Sequence, residues 1–142
     1  MTKMEEKMGI YEEIVSNTPI GYLASIDGAQ PRVRPMSFVH VPGGKLWSST
    51  YNISGKMDEF LQNDRVEVCF VDSGYRQLRV EGRIDTTGDS EKKKQLLALN
   101  PGVRNHFPNE DDEHFVHLEI TPTRVRWKNT GFSEYEEIAI EP

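Results

Sequence analysis

Residues 20–36 read IGYLASIDGAQPRVRPM, and this stretch decides the class of fold. From Ile20 to Ile26 two sets of residues alternate along the chain, which is the two-residue period of a β-strand. One set is Ile20, Tyr22, Ala24 and Ile26, and the other is Gly21, Leu23 and Ser25. Asp27-Gly28 then supplies a hairpin turn. A second strand follows from about Arg32 to Val41. The stretch therefore predicts an antiparallel hairpin within a β-rich protein.

Further helices and strands follow from the spacing of apolar residues. An amphipathic helix is predicted over residues 3–17, where apolar side chains recur at helical spacing. Beyond the hairpin we expect a short strand from Lys45 to Thr50, a helix capped by Ser54 that ends at Asn63-Asp64, strands at Arg65–Asp72 and Arg76–Thr87, a helix at Ser90–Leu99, strands at His114–Ile120 and Thr123–Lys128, and a short strand near Ile138–Ile140. Such a set makes an α+β protein. Because most strands follow one another through tight turns, we expect the sheet to close into a barrel.

Length and composition indicate one globular domain spanning residues 1–142. The sequence is 36% hydrophobic and 28% charged, and no apolar run approaches the roughly 20 residues of a membrane span. The net charge of −6 argues against a nucleic-acid-binding protein, but a single phosphate needs only a few local donors. The first residues lack the apolar core of a signal peptide, and the one cysteine excludes an intrachain disulfide. We therefore expect a cytoplasmic protein without membrane or nucleic-acid partners.

Two arginines on the second strand form the first candidate ligand site. Arg32 and Arg34 are two residues apart, so on a strand their side chains point to the same side. Two guanidinium groups on one face need an anion or solvent to meet them, and the pattern fits an anion site and a solvated face about equally well. Pro35 cannot donate a hydrogen bond within a sheet, which indicates a strand edge or a bulge.

Residues 48–56, SSTYNISGK, form the second candidate site. They leave a strand, pass through hydroxyl side chains and enter a helix whose first turn contains Lys56. A helix N-terminus offers unpaired N–H groups and a favourable dipole to an anion, so the stretch predicts a phosphate cradle. Helix capping by Ser54 and a solvated lysine explain the same residues without a ligand. The glycine spacing excludes a nucleotide-triphosphate loop.

Gln77 and Trp127 are candidates for contact with an aromatic ligand. The Gln77 amide both donates and accepts hydrogen bonds, as recognition of a planar heterocycle requires, although a surface-facing strand glutamine is the commoner case. Trp127 is either core or a wall for an aromatic ring, and core is the commoner role. His114 and His117 would lie on opposite faces of a strand, so no metal site is expected. Cys69 lies within an apolar strand and is expected to be a buried packing residue.

Taken together, these segments resemble the pyridoxamine 5′-phosphate oxidase-like superfamily, the FMN-binding split barrels. Residues 30–36 are similar to the family's second strand, where an arginine meets the FMN phosphate and the following backbone lines the isoalloxazine. Arg34 is the better match to that arginine. Ser49-Thr50 and then Ser54-Gly55-Lys56 are similar to the run that holds the phosphate.

The resemblance continues into the second half of the chain and covers roughly residues 8–130. Residues 76–82 are similar to the segment whose glutamine approaches the flavin from the neighbouring subunit, and Trp127 falls where the oxidases carry a flavin-side tryptophan. The fold it implies is α+β: a mostly antiparallel split β-barrel of six to eight strands with about three short helices. The cofactor-binding residues it implies are Arg32, Arg34, Pro35, Met36, Ser49, Thr50, Ser54, Lys56, Gln77 and Trp127.

The departures from the family pattern narrow the function. Val39 stands where the true oxidases have a lysine, and Gly55 replaces the arginine of the phosphate run. Around residues 96–101 the chain has Leu and Asn where the oxidases bind the substrate's phosphate with tyrosine and arginine. The residues after Trp127 lack the oxidases' arginine–histidine substrate contacts. A true pyridoxamine phosphate oxidase is therefore not expected, and neither is the nitroimidazole-reducing branch, which carries a histidine at the position of Gly55.

The resemblance implies an FMN-dependent oxidoreductase working as a homodimer with its flavin sites at the interface. It would pass a hydride or electrons between flavin and a small organic substrate, with NAD(P)H as a candidate donor. Because the cofactor carries out the electron transfer, no catalytic side-chain constellation is expected. Three alternatives stay open. The first is a non-catalytic protein that binds or stores flavin or haem, in which His40, His114 or His117 would hold the haem. The second is a deazaflavin protein, and the third is an interaction scaffold without a cofactor.

Overall fold

The computed structural model describes residues 1–131 and 133–140. Eight strands and three α-helices follow one another in these ranges, with a 3₁₀ helix at Pro101–Asn105. Their bounds are α1 (Lys3–Asn17), β1 (Gly21–Asp27), β2 (Gln30–Met36), β3 (Val39–Val41), β4 (Lys45–Tyr51), α2 (Gly55–Gln62), β5 (Arg65–Val71), β6 (Gln77–Asp85), α3 (Ser90–Leu99), β7 (Phe115–Lys128) and β8 (Glu136–Ile138). The expected α+β split-barrel fold is confirmed. Within the described ranges, no helix has the length and apolar character needed to cross a bilayer.

The strands form one antiparallel sheet. The hydrogen-bonded path runs β2-β1-β5-β6-β7-β4-β3, and β8 pairs with β7. The predicted hairpin at the start of the path is present as the β1–β2 pair, in which Asp27 lies opposite Gln30. The path ends at β2 and β3, which do not pair with each other among the described residues, so the sheet is open there and the expected full closure into a barrel is not seen. Half of the ten candidate ligand residues lie on β2, one of the two edge strands, and on helix α2: Arg32, Arg34, Pro35, Met36 and Lys56.

The core lies between the inner face of the sheet and the helices. Helix α1 buries Tyr11, Ile14 and Val15 against it, and the Thr2 hydroxyl caps the helix by accepting a hydrogen bond from the Glu5 amide. On β6 the inward residues are the ones that the alternation predicts: Leu78, Val80, Gly82 and Ile84. Burial of these apolar side chains is the main source of fold stability.

Strand β1 turns Leu23 and Ser25 inward and leaves Tyr22 and Ile26 exposed, because only the small Gly21 fits against Phe70. Two details of the sheet differ from the sequence-based expectation. The strand predicted over residues 32–41 is two strands, β2 and β3. Conversely, the two strands predicted between His114 and Lys128 are the single strand β7, whose pairing with β6 shifts register between Glu81 and Gly82. The bulge at this shift lets one strand continue past a proline.

Candidate functional site

Arg34 lies on the inner side of the edge strand β2. It pairs with Leu23, which is fully buried, and residues directly opposite each other share a face of the sheet. Its guanidinium Nη2 donates to Ser25 Oγ at 2.9 Å and to Glu59 Oε2 at 3.2 Å. The guanidinium carbon also lies 5.8 Å from the centre of the Phe60 ring. Three contacts from β1 and α2 therefore fix the arginine in one position.

The other arginine of the strand has a different environment. Arg32 forms an ion pair with Asp27 at 3.2 Å, and 53% of its side chain is exposed, against 17% for Arg34. The two arginines do share one side of β2, as their spacing predicts. Because Arg32 is more exposed, solvent screens its charge more than that of Arg34.

The start of helix α2 places Lys56 beside Arg34. Ser54 occupies the N-cap position, but its hydroxyl lies 3.3 Å from Thr50 Oγ1 and makes no capping hydrogen bond to the described part of the helix. Burial and the nearby Arg34 charge lower the pKa of the Lys56 amine, and the Glu59 carboxylate partly offsets this. Two cations and two hydroxyl groups therefore meet where β2, β4 and α2 converge.

Two adjoining grooves open at this point. The arginine groove, of about 470 Å³, is lined by Asp27, Arg32, Val33, Arg34, Ser54, Gly55, Lys56 and Glu59. The histidine groove, of about 370 Å³, is lined by Pro35, Met36, Ser37, Ser48, Ser49, Thr50, Tyr51, Lys56, Asn100, Gly102, Val103, His106 and Phe107. Lys56 lines both grooves. Eight of the ten residues implied as cofactor-binding therefore line one groove or the other: Arg32, Arg34, Pro35, Met36, Ser49, Thr50, Ser54 and Lys56.

Gln77 and Trp127, the remaining two, line neither groove. Gln77 lies at the start of β6, and its Oε1 accepts a 2.7 Å hydrogen bond from the Tyr135 hydroxyl. Trp127 lies opposite Leu78 and packs against the main core, and its buried Nε1 has no hydrogen-bond partner among the described residues. Within one chain, Trp127 is a partly buried residue that packs on the core.

The other singled-out residues lie away from the two grooves or at their rim. His117 lies on β7 and is fully buried against the Trp47 ring, whereas His114 is exposed in the turn before this strand, so the two histidines do not lie on opposite faces of one strand as predicted. Burial lowers the pKa of His117 to about 4. Cys69 is half-buried rather than buried, and its partial burial raises the pKa of its thiol. His106 is exposed at the rim of the histidine groove, where its Nδ1 lies 3.5 Å from the Tyr51 hydroxyl.

Sequence reasoning missed two residues that line the grooves and one that holds Gln77. Glu59 pairs with Arg34 across 25 positions of sequence, and the one available signal was its helical spacing of three from Lys56. Tyr135 holds Gln77 across 58 positions, for which no local pattern exists. His106 reaches the histidine groove only because the 3₁₀ helix at Pro101–Asn105 turns the chain toward β4.

A comparison with known protein families identifies the family of this chain. A family model described as pyridoxamine 5′-phosphate oxidase matches residues 10–129. The chain belongs to this family. The matched range contains every residue of the two grooves, and all ten implied cofactor residues.

Relatives within the pyridoxamine 5′-phosphate oxidase family are distant. General stress protein 26 of Bacillus subtilis (strain 168) is 24% identical over 123 residues, which cover 84% of this chain and 86% of that protein. A solved NimC/NimA family protein from Clostridium acetobutylicum is 26% identical with a TM-score of 0.81, covering 93% of this chain and 91% of that one. A heme-binding protein from Mycobacterium smegmatis shares the fold at 15% identity and a TM-score of 0.75, covering 96% of this chain and 58% of that one.

Two of the three departures from the family pattern lie in the grooves. Gly55 lines the arginine groove, and a β-carbon there would meet no described atom within 4 Å. Asn100 lines the histidine groove and donates to Ser37 Oγ at 3.0 Å. Val39 packs against the smaller core cluster instead of a groove. The first two positions have open space and a neutral amide, where the resemblance implies cations in the oxidases.

Proposed function

We propose that the protein binds FMN and acts as an oxidoreductase on a small organic substrate, without being a true pyridoxamine phosphate oxidase. One observation carries this proposal: Arg34 and Lys56 meet the hydroxyl-bearing residues Thr50 and Ser54 where two grooves join, in a chain of the pyridoxamine 5′-phosphate oxidase family. Asn100 lies in the region where the resemblance places the oxidases' substrate-phosphate arginine, which argues against a second, substrate-borne phosphate.

The residues of the arginine groove fit a phosphate monoester. Arg34 Nη1 is buried and has no hydrogen-bond partner in the described chain, so one guanidinium nitrogen is left for a ligand. Lys56 adds a second cation and Ser54 a hydroxyl, and charged donors of this kind are what a phosphate needs. In this proposal Arg34, Ser54 and Lys56 bind the phosphate, and Thr50 orients Ser54 from β4.

The histidine groove supplies the place for the isoalloxazine ring. Pro35 and Met36, through their backbone groups, and Ser49 would line the ring in this groove. When bound, FMN supplies hydride and electron transfer, and a nicotinamide cofactor is the proposed donor. The protein then orients the ring and limits access of water to it.

We further propose that the working unit is a homodimer. The outer face of β1, β2 and β5 exposes Tyr22, Val33 and Val71, of which Val33 is 70% exposed. Strand registers put Gln77 opposite Val71, on that same outer face. A second copy packed on this face would cover the apolar side chains and bring its partner's flavin within reach of Gln77, which lines no groove of its own chain.

A visible absorption spectrum of the purified protein tests the proposed cofactor, followed by titration of cofactor-free protein with FMN. Flavin bands with saturable FMN binding are the expected result. A deazaflavin spectrum would keep the site and change the cofactor. Protein that carries no cofactor and does not bind FMN would contradict the proposed function.

Haem binding is the second candidate function, because a histidine lines the pocket and one fold neighbour is a heme-binding protein. His106 is the histidine in question, since it lines the histidine groove. The three histidines named from sequence for this role are less suited: His40 and His117 have buried ring nitrogens and His114 lines neither groove. A Soret band that disappears in His106→Ala would support haem over flavin.

A further inference from the structure

Glu59 places a carboxylate inside the groove that is proposed to bind a phosphate. Its Oε2 lies 3.2 Å from Arg34 Nη2, and only 12% of the Glu59 side chain and 17% of the Arg34 side chain are exposed. A pair withdrawn from solvent to this extent is screened far less than a surface ion pair. The guanidinium of Arg34 therefore already has an anionic partner in the protein itself.

This partner takes one end of the guanidinium group. Ser25 Oγ and the Glu59 carboxylate both accept from Nη2, whereas the buried Nη1 has no partner among the residues described. Arginine binds a phosphate best through two parallel N–H donors. A phosphate that engages Arg34 in that way must displace the Glu59 carboxylate or share its donor.

The net charge of Arg34, Lys56 and Glu59 also bears on phosphate binding. Lys56 and Glu59 are three residues apart on α2 and share a helix face, and the pKa of Lys56 responds to both Arg34 and Glu59. Arg34 and Lys56 contribute two positive charges and Glu59 removes one, so these three residues carry a net charge of +1. A phosphate monoester carries about −1.5 to −2 at neutral pH, which exceeds that charge.

We propose that Glu59 is a built-in competitor for the phosphate of the cofactor. It holds Arg34 in place when the groove is empty and weakens phosphate binding by like-charge repulsion when a ligand enters. The protein would therefore release and rebind FMN readily instead of retaining it. This role rests on the proposed function, because it assumes that the arginine groove receives the phosphate.

Removal of the Glu59 charge tests the competitor role. Glu59→Gln keeps the shape of the side chain, and Asp58→Asn is a matched control that removes one negative charge from an exposed position of the same helix. Affinities for FMN and for riboflavin, which lacks the phosphate, are measured by flavin fluorescence with cofactor-free protein. We expect Glu59→Gln to bind FMN roughly tenfold more tightly, because a like charge within a few ångströms is lost. Riboflavin affinity should be unchanged, and Asp58→Asn should match the wild type for both.

The opposite result has an equally clear meaning. If Glu59 served only to position Arg34, Glu59→Gln would bind FMN no better than the wild type or more weakly, and the competitor role would be wrong. Glu59→Ala provides a second variant with the same expected direction should the glutamine variant be unstable. If neither the wild type nor any variant binds FMN, the proposed function itself fails and the competitor role fails with it.

Discussion

At the scale of single residues, burial separates two arginines that look equivalent in sequence. Arg34 is enclosed by Ser25, Glu59 and Phe60, whereas Arg32 reaches into solvent with Asp27. The spacing of the two arginines predicts that they share one side of the strand, and they do. It does not predict Glu59, because the contact joins β2 to a helix that begins about 20 residues later.

Arg34→Ala should lower FMN affinity by about 1–3 kcal/mol, the range of a charged hydrogen bond. Lys56→Ala should have an effect of the same size, and Arg32→Ala a smaller one, since Arg32 is half-exposed and paired with Asp27. Fluorescence titration of cofactor-free protein measures all three affinities. Wild-type affinity in both Arg34→Ala and Lys56→Ala would mean that the phosphate binds elsewhere.

His117 should make the protein less stable at acidic pH. Burial lowers its pKa to about 4 in the folded state, whereas an unfolded chain binds the proton near pH 6.5. The folded state therefore binds fewer protons between these two values. The free energy of unfolding should fall by up to about 3 kcal/mol as the pH drops from 6.5 to 4.

The variant His117→Phe removes this titration while keeping an aromatic ring beside Trp47. Urea unfolding at several pH values between 7 and 4 should give a shallower slope for the variant than for the wild type. His114→Gln, at an exposed position, should keep the wild-type slope. Equal slopes in His117→Phe and the wild type would show that His117 does not cause the loss of stability at acidic pH.

At the scale of helices and strands, local patterns succeed wherever burial has one simple period. Helices α1 and α3 have the predicted bounds, because apolar residues recur at helical spacing and polar residues cap each start. The bounds of strand β7 were predicted wrongly, because Thr121-Pro122-Thr123 resembles a turn in sequence. Pro122 instead lies opposite Gly82 at the register shift, where a strand can accept a residue that donates no hydrogen bond.

Gly82 is essential to this part of the sheet. A β-carbon at Gly82 would lie 2.5 Å from the Thr121 carbonyl oxygen and 2.8 Å from Ile120 Cγ2. Gly82→Ala should therefore lower the free energy of unfolding by about 1–3 kcal/mol. Gly9→Ala is the control: its β-carbon meets no described atom within 4 Å, and alanine in a helix should add about 0.5–1 kcal/mol. Chemical denaturation compares them, and a neutral Gly82→Ala would contradict the bulge geometry.

At the scale of the whole molecule, the sheet has an enclosed inner face and an outer face with exposed apolar side chains. Family resemblance allowed the split barrel to be predicted from sequence, together with eight of the groove residues. The path of the sheet and the partners of Arg34 and Gln77 depend on contacts between distant segments, which periodicity does not encode.

Val33→Asp should weaken the proposed dimer by placing a charge on the exposed apolar face of β1, β2 and β5, where Val33 is the most exposed of the three apolar side chains. Light scattering coupled to size exclusion should give a dimer mass for the wild type and a monomer mass for this variant. Leu99→Asp, at an apolar position 54% exposed at the end of α3, should stay dimeric. A monomeric wild type would exclude the shared flavin site.

The most direct test of the central claim is a paired titration of the cofactor-free wild-type protein with FMN and riboflavin. The two ligands differ only in the phosphate that Arg34, Ser54 and Lys56 are proposed to bind. Saturable binding of FMN that is clearly tighter than that of riboflavin is the predicted result. Equal affinities, or no binding of either ligand, would contradict a phosphate site at the junction of β2, β4 and α2.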